Sequence, residues 1–189
     1  MKRVRIWIDA DSCQHKIRRY VLRRANELQL QIFFVANHAV PLDENLIINK
    51  KSQTEQQRAD IWDSAQSGET KSSSCKLQSE MIVCDASHES ADNYIAAHTE
   101  KYDMVITRDI PLAFRLVQNG HCVLNDRGAS YTKESVAKRL ADRNYNMQLA
   151  QIGLGGEEKN AYSGKEFDAF VRCFDKEIMR LVRDASQGI

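Results

Sequence analysis

The chain has no apolar run long enough to span a bilayer. Its first residues, MKRVRIWIDADSC, are interrupted by charge too early to form the apolar region of a secretory signal. A soluble, cytoplasmic protein with no membrane association is therefore expected. Cysteine spacing of the metal-binding or disulfide kind is also missing. Cys13, Cys75, Cys84, Cys122 and Cys173 are odd in number, widely spaced and free of any CxxC, which argues against a structural zinc site and a disulfide framework and leaves reduced thiols. His15, His38, His88, His98 and His121 show no metal spacing. Neither sign of charge is in excess. The net charge is +1, so nothing global marks a nucleic-acid binder, and any electrostatic footprint has to come from local clustering. No internal repeat is present.

What is there is an alternation of extended and helical patterns. Val4, Ile6 and Ile8, with Trp7 between them, make a near-continuous apolar strand of the kind buried on both faces. From about Gln14 to Leu28, Ile17, Tyr20, Val21, Ala25 and Leu28 recur at helical spacing, while Lys16, Arg19 and Arg23 line another face. QIFFVAN (31–37) is a second apolar strand, so strand, helix and strand predict a parallel pair. Further strands are predicted at 81–85, 103–107 and 121–125, with helices from about Glu89 to Lys101 and through LAFRLVQNG. Thr132 with Ser135 gives a partial capping signal for a helix over YTKESVAKRLADR, and a last amphipathic helix starts near Ser163. Between about 45 and 80 the chain is polar, and QSGETKSSSCK has no sustained period. That stretch reads as an insertion or mobile loop, with a short helix around Ile61 and Trp62. The whole, 1–189, predicts one α/β domain: a mainly parallel sheet of about five strands flanked by helices, with a polar insertion and a C-terminal helix.

Ligands of an open parallel sheet bind outside the carboxyl ends of its strands. Gathered in that order, the residues after each strand are Asp9 and Asp11, Asn37, Asp85, Thr107 and Asp109, and Asn125 and Asp126. Glu89 and Asp92 share one face of the helix after the third strand. So many carboxylates at one end of a sheet repel one another unless a cation offsets them. Oxygen ligands without a Cys or His cluster favour Mg²⁺ or Mn²⁺. The competing reading of any one of these acids is a helix cap or a turn, and Asp11 is placed to cap the helix that begins near Gln14.

DADSC (9–13), VAN (35–37), ESADNYI (89–95), MVITRDIPLA (104–113) and LNDRGASYT (124–132) together resemble the successive signatures of the YaiI/YqxD family, bacterial proteins with a PIN-like fold. The resemblance covers nearly the whole chain apart from about 45–80. PIN-like domains are typically metal-dependent nucleases that cut RNA. The resemblance therefore implies Asp9, Asp92 and Asp109 as the catalytic ligand core, with Asp11 and Glu89 as further ligands and Thr107 orienting the Thr-x-Asp turn. The chain departs from the family pattern at Gln14 and Asp126, where Pro is usual, at Glu89, where Asp is usual, and in the long insertion.

The expected activity is a Mg²⁺- or Mn²⁺-dependent phosphodiesterase acting on RNA, with Asn37, Asn125, Arg19 and Arg23 positioning substrate. DxD after a first apolar strand also begins haloacid-dehalogenase-like phosphatases, in which Asp9 would be the nucleophile and Asp11 the general acid. The small residue and Thr expected after that motif are absent, since Ser12, Cys13 and Gln14 follow. A non-catalytic module binding RNA, a protein partner or a second copy is the other alternative.

Overall fold

The computed structural model describes residues 3–38, 40, 49–50, 79–85, 90–153 and 162–188. Five strands of three residues or more, β1 (Arg5–Asp9), β2 (Gln31–Ala36), β4 (Ser79–Val83), β5 (Met104–Ile106) and β6 (Cys122–Leu124), form the sheet, with a two-residue β3 (Asn49–Lys50) at one edge. The order is β3-β4-β2-β1-β5-β6, and each pairing between these strands is parallel. Among the described residues five helices flank it: α1 (His15–Leu28), α2 (Ser90–His98), α3 (Ile110–Gln118), α4 (Lys133–Gln151) and α5 (Gly164–Gln187). This architecture is the expected α/β fold and is consistent with a PIN-like one.

The period of two along β1 explains the layers. Val4, Ile6 and Ile8 point into a core closed by Ile17, Val21 and Leu22 of α1 and by Phe170, Phe174 and Ile178 of α5. Trp7 points the other way, into a core with Val35, Ile95 of α2 and Leu112 and Leu116 of α3. Trp7 is only 2% exposed and stacks on Phe33 with ring centroids 4.3 Å apart. It is a packing anchor. A central strand buried on both faces has no polar position to offer until it ends, which is why the first carboxylate of β1 stands at its last residue.

Three expectations are corrected. The third long strand begins at Ser79, two residues before the apolar run at Met81, because Ser79 pairs with Ile32 and is 3% exposed despite its polarity. Ser79, Glu80 and the β3 pair Asn49–Lys50 thus belong to the sheet although their composition is that of the insertion. The rest of that stretch, with Ile61, Trp62 and Cys75, lies outside the described residues. The Thr132 cap is complete: Thr132 Oγ1 accepts from Ser135 N–H and Ser135 Oγ accepts from Thr132 N–H, so Ser takes the role Glu was expected to fill. At Ser163 the same reciprocal box is made with Glu166. Among the described residues no helix is long and apolar enough to cross a membrane.

The β6–α4 turn is pinned by Gly128. Its φ of +84° is unfavourable for a side chain, and a Cβ there would stand 2.3 Å from the carbonyl carbon of Ala169 in α5. Close backbone contact between this turn and α5 brings the start of the C-terminal helix to the carboxyl edge of the sheet, where Tyr162 donates to the Asp126 carbonyl at 2.9 Å.

Candidate functional site

From β1 the chain moves outward through β2 to β4, then returns to the other side of β1 for β5 and β6. The strand order reverses between β1 and β5, and the carboxyl end of that junction is where open α/β sheets bind ligands. The register pairs Ile8 with Ile106, so Asp9 and Thr107 are the next residues out on neighbouring strands.

Asp9 is 4% exposed, and its Oδ2 accepts from Thr107 Oγ1 at 2.7 Å and from Ser12 Oγ at 2.6 Å. Its Oδ1 receives only a long contact from Ser12 N–H, at 3.3 Å. Burial pushes the Asp9 carboxyl above the usual carboxylate range, the hydroxyl hydrogen bonds of Ser12 and Thr107 pull it back, and the Asp11 charge adds a smaller upward push. Thr107 is fully buried and, besides donating to Asp9, accepts from Asp109 N–H at 2.9 Å. Ser12 Oγ accepts from Arg108 N–H at 3.1 Å. Two hydroxyls thus lock the Asp9–Ser12 and Thr107–Asp109 segments together through one carboxylate oxygen.

The other expected residues are placed as follows. Asp109 is the N-cap of α3, its Oδ1 accepting from Leu112 N–H at 2.7 Å, so the capping reading holds for this acid. Asp11 does not cap α1, whose N-cap is Gln14 without a side-chain bond. It turns instead to the end of β2, where Oδ2 accepts from Asn37 N–H at 2.7 Å and Oδ1 stands 3.1 Å from His38 Nδ1. Asn37 Oδ1 accepts from Ala91 N–H at 3.1 Å and from Ser90 Oγ at 2.6 Å, tying β2 to the first turn of α2, which carries the half-buried Asp92. Asn125 Oδ1 accepts from Arg127 and Ala129 N–H and shapes the turn after β6. Both asparagines, expected to position substrate, hold backbone. Glu89 lies outside the described residues.

The basic face of α1 is largely engaged. Lys16 Nζ sits 3.9 Å from the Phe167 ring centroid, and Arg24 pairs with Glu27 and Asp175. Arg23 reaches Glu27 at 3.7 Å. At about 1.5 Å per residue, Arg23 lies roughly 12 Å down the helix from His15 and so away from the carboxyl edge.

Two buried or edge arginines, Arg18 and Arg108, escaped sequence reasoning as site members, and Asp126 was gathered with the residues after the strands but given no role. Arg18 is 8% exposed, donates from a terminal nitrogen to the Ala10 carbonyl at 2.7 Å and fixes the loop after Asp9. A pattern of apolar spacing cannot reveal a buried arginine beside Ile17. Arg108, inside the Thr-x-Asp turn, has its Nε 3.6 Å from Asp126 Oδ2. Asp126 is 2% exposed, and that oxygen has no hydrogen-bond partner. Its place after a strand was the available signal.

Among the described residues no group of three or more His, Cys, Asp or Glu stands close enough to hold a metal ion, so Asp9, Asp92 and Asp109 do not close a three-carboxylate cage. The donor chemistry at Asp9 nevertheless fits a hydrated hard cation. Mg²⁺ keeps several waters and needs one or two carboxylates, and Asp9 Oδ1 is the oxygen left with a single long contact.

No solved structure matches the chain. Among curated proteins, it is 31% identical over 180 residues to a UPF0178 protein of Myxococcus xanthus, covering 95% of this chain and 97% of that one. A UPF0178 protein of Psychromonas ingrahamii is 32% identical over 171 residues, covering 90% and 93%, and one of Treponema denticola is 28% identical over 180 residues, covering 95% of each. The family model described as "Uncharacterized BCR, YaiI/YqxD family" matches residues 7–70 and 65–180. Together with the buried Asp9–Thr107 pair set by those same DADSC and ITRD segments, this extent of matching means that the chain belongs to the YaiI/YqxD family.

Proposed function

We propose that this protein is a phosphodiesterase that cuts RNA with the help of Mg²⁺ or Mn²⁺. The observation that carries the reading is the Asp9 carboxylate, buried at the reversal point of the sheet and fixed through one oxygen by two hydroxyls. A carboxylate costs free energy to bury, and one held in a single orientation at the reversal point of a parallel sheet is pre-organised for chemistry there. Thr107 and Ser12 keep Oδ2 occupied and leave Oδ1 with only the long Ser12 N–H contact. Asp92 in the first turn of α2 and Asp109 at the start of α3 are, with Asp9, the residues that would hold the ion directly or through water. When bound, a divalent ion supplies Lewis acidity toward water and the scissile phosphate.

The phosphatase alternative finds less support. Asp11, its general acid, is engaged by Asn37 N–H and His38, and Asp9, its nucleophile, has one oxygen fully occupied. The test is cleavage of end-labelled single-stranded RNA with Mn²⁺, with EDTA and with an Asp9→Asn variant. Asn still accepts from both hydroxyls, so the variant is expected to fold and to bind RNA but not to cut it. RNA that is bound yet left intact by the wild type with Mn²⁺ would transfer support to the binding-module alternative.

A further inference from the structure

Asp126 is the least compensated charge at the carboxyl edge. Its side chain is 2% exposed, Oδ2 has no hydrogen-bond partner, and Arg108 Nε faces that oxygen at 3.6 Å, beyond hydrogen-bond reach. A carboxylate buried in this way is unfavourable unless a cation stands over it. Arg108 is that cation, yet it is held loosely: its side chain is 46% exposed. Its backbone, by contrast, is fixed, since Arg108 N–H donates to Ser12 Oγ, which donates to Asp9 Oδ2. The guanidinium therefore hangs from a rigid point two hydrogen bonds from Asp9 and rests on a counter-charge that uses none of its planar donor fork.

We propose that Arg108 grips a phosphate of the RNA strand beside Asp9, and that the buried Asp126 carboxylate is its resting place when no RNA is bound. The inference deepens the phosphodiesterase reading and rests on it for the substrate class. A phosphate offers the bidentate geometry that a guanidinium matches and that Asp126 at 3.6 Å does not supply. Asp126 thus acts through Arg108, keeping the arginine at the carboxyl edge instead of in bulk solvent. Arg19 and Arg23, on the exposed face of α1, become secondary.

The test is binding of a short end-labelled oligouridylate in EDTA across a potassium chloride series, followed by fluorescence anisotropy. Arg108→Gln is expected to weaken binding about tenfold and to flatten the dependence of log affinity on log salt by about 0.7, the value for one phosphate contact on a single strand. Arg108→Lys keeps the charge and should restore the slope but not the full affinity. Asp126→Asn removes the competitor for the guanidinium and should tighten binding with the wild-type slope. Arg183→Gln, an exposed arginine near the far end of α5, should match the wild type. An Arg108→Gln variant with the wild-type slope, an Asp126→Asn variant that binds as weakly as Arg108→Gln, or a wild type that binds no oligouridylate overturns the proposal. If the slopes differ as expected but the wild type cuts no RNA with Mn²⁺, this inference stands and the phosphodiesterase reading falls.

Discussion

Thr107 and Asp126 show how much one side-chain atom decides at this edge. The Thr107 hydroxyl serves two partners at once, donating to Asp9 Oδ2 and accepting from Asp109 N–H. Thr107→Val keeps the shape and removes the hydroxyl, leaving both partners without it in a fully buried position. Urea unfolding should show a loss of about 2 kcal/mol, while Thr107→Ser should lose much less. Asp126 gives a pH signature. Burial pushes its carboxyl above the usual carboxylate range, with Arg108 and Arg127 pulling it down and Glu166 pushing it up. A carboxyl that holds its proton more tightly folded than unfolded takes stability away as it ionises, so its cost develops as the pH rises from about 4 through the raised value. Asp126→Asn lacks that term. The stability of the variant relative to the wild type should therefore increase between acid and neutral pH, as urea unfolding at several pH values would record; a constant difference would mean that Asp126 does not titrate abnormally.

At the scale of elements, the site depends on turns more than on the strands themselves. Gly128 lets the β6–α4 turn lie against the backbone of α5, where both the positive φ and the close approach of Ala169 require glycine. Gly128→Ala should lower stability by about 2–4 kcal/mol, from backbone strain and overpacking, and thermal unfolding would read it as a lower Tm. A variant as stable as the wild type would mean that α5 moves aside at no cost. Asn37 and Asp109 do comparable work, one tying α2 to β2 and the other starting α3. These roles were partly legible. Asp109 before Ile110 and Pro111 has the form of a cap with proline in the first turn, and the structure makes it one. Asp11, which also precedes a helix, is not a cap, because the β2 end offers it an N–H donor and a histidine that lie 26 and 27 residues away in sequence.

The molecule as a whole responds to a ligand only through what the folded state binds. If Asp9 holds a divalent ion, Mn²⁺ at a hundredfold excess over Kd should stabilise the wild type by about 2.7 kcal/mol and so raise its Tm more than that of Asp9→Asn, and equal shifts would remove Asp9 from the ion site. The sheet itself was readable from the chain: apolar runs buried on both faces alternate with amphipathic helices, and that pattern is a local property of residue type and period. The position of Asp9 at the carboxyl edge was readable too, since β1 is buried on both faces and carries its first acid at its last residue. Tertiary structure alone decided what each of those groups faces. The β1–β5 register joined Asp9 to Thr107, 98 residues apart; the α5 contact shaped the turn that buries Asp126; and the Thr-x-Asp loop hung Arg108 over it. Hydrogen bonds and desolvation act over a few ångströms between chain segments that sequence separates by tens of residues, so residue type and period carry the elements, while the partners of each polar atom exist only after the segments meet.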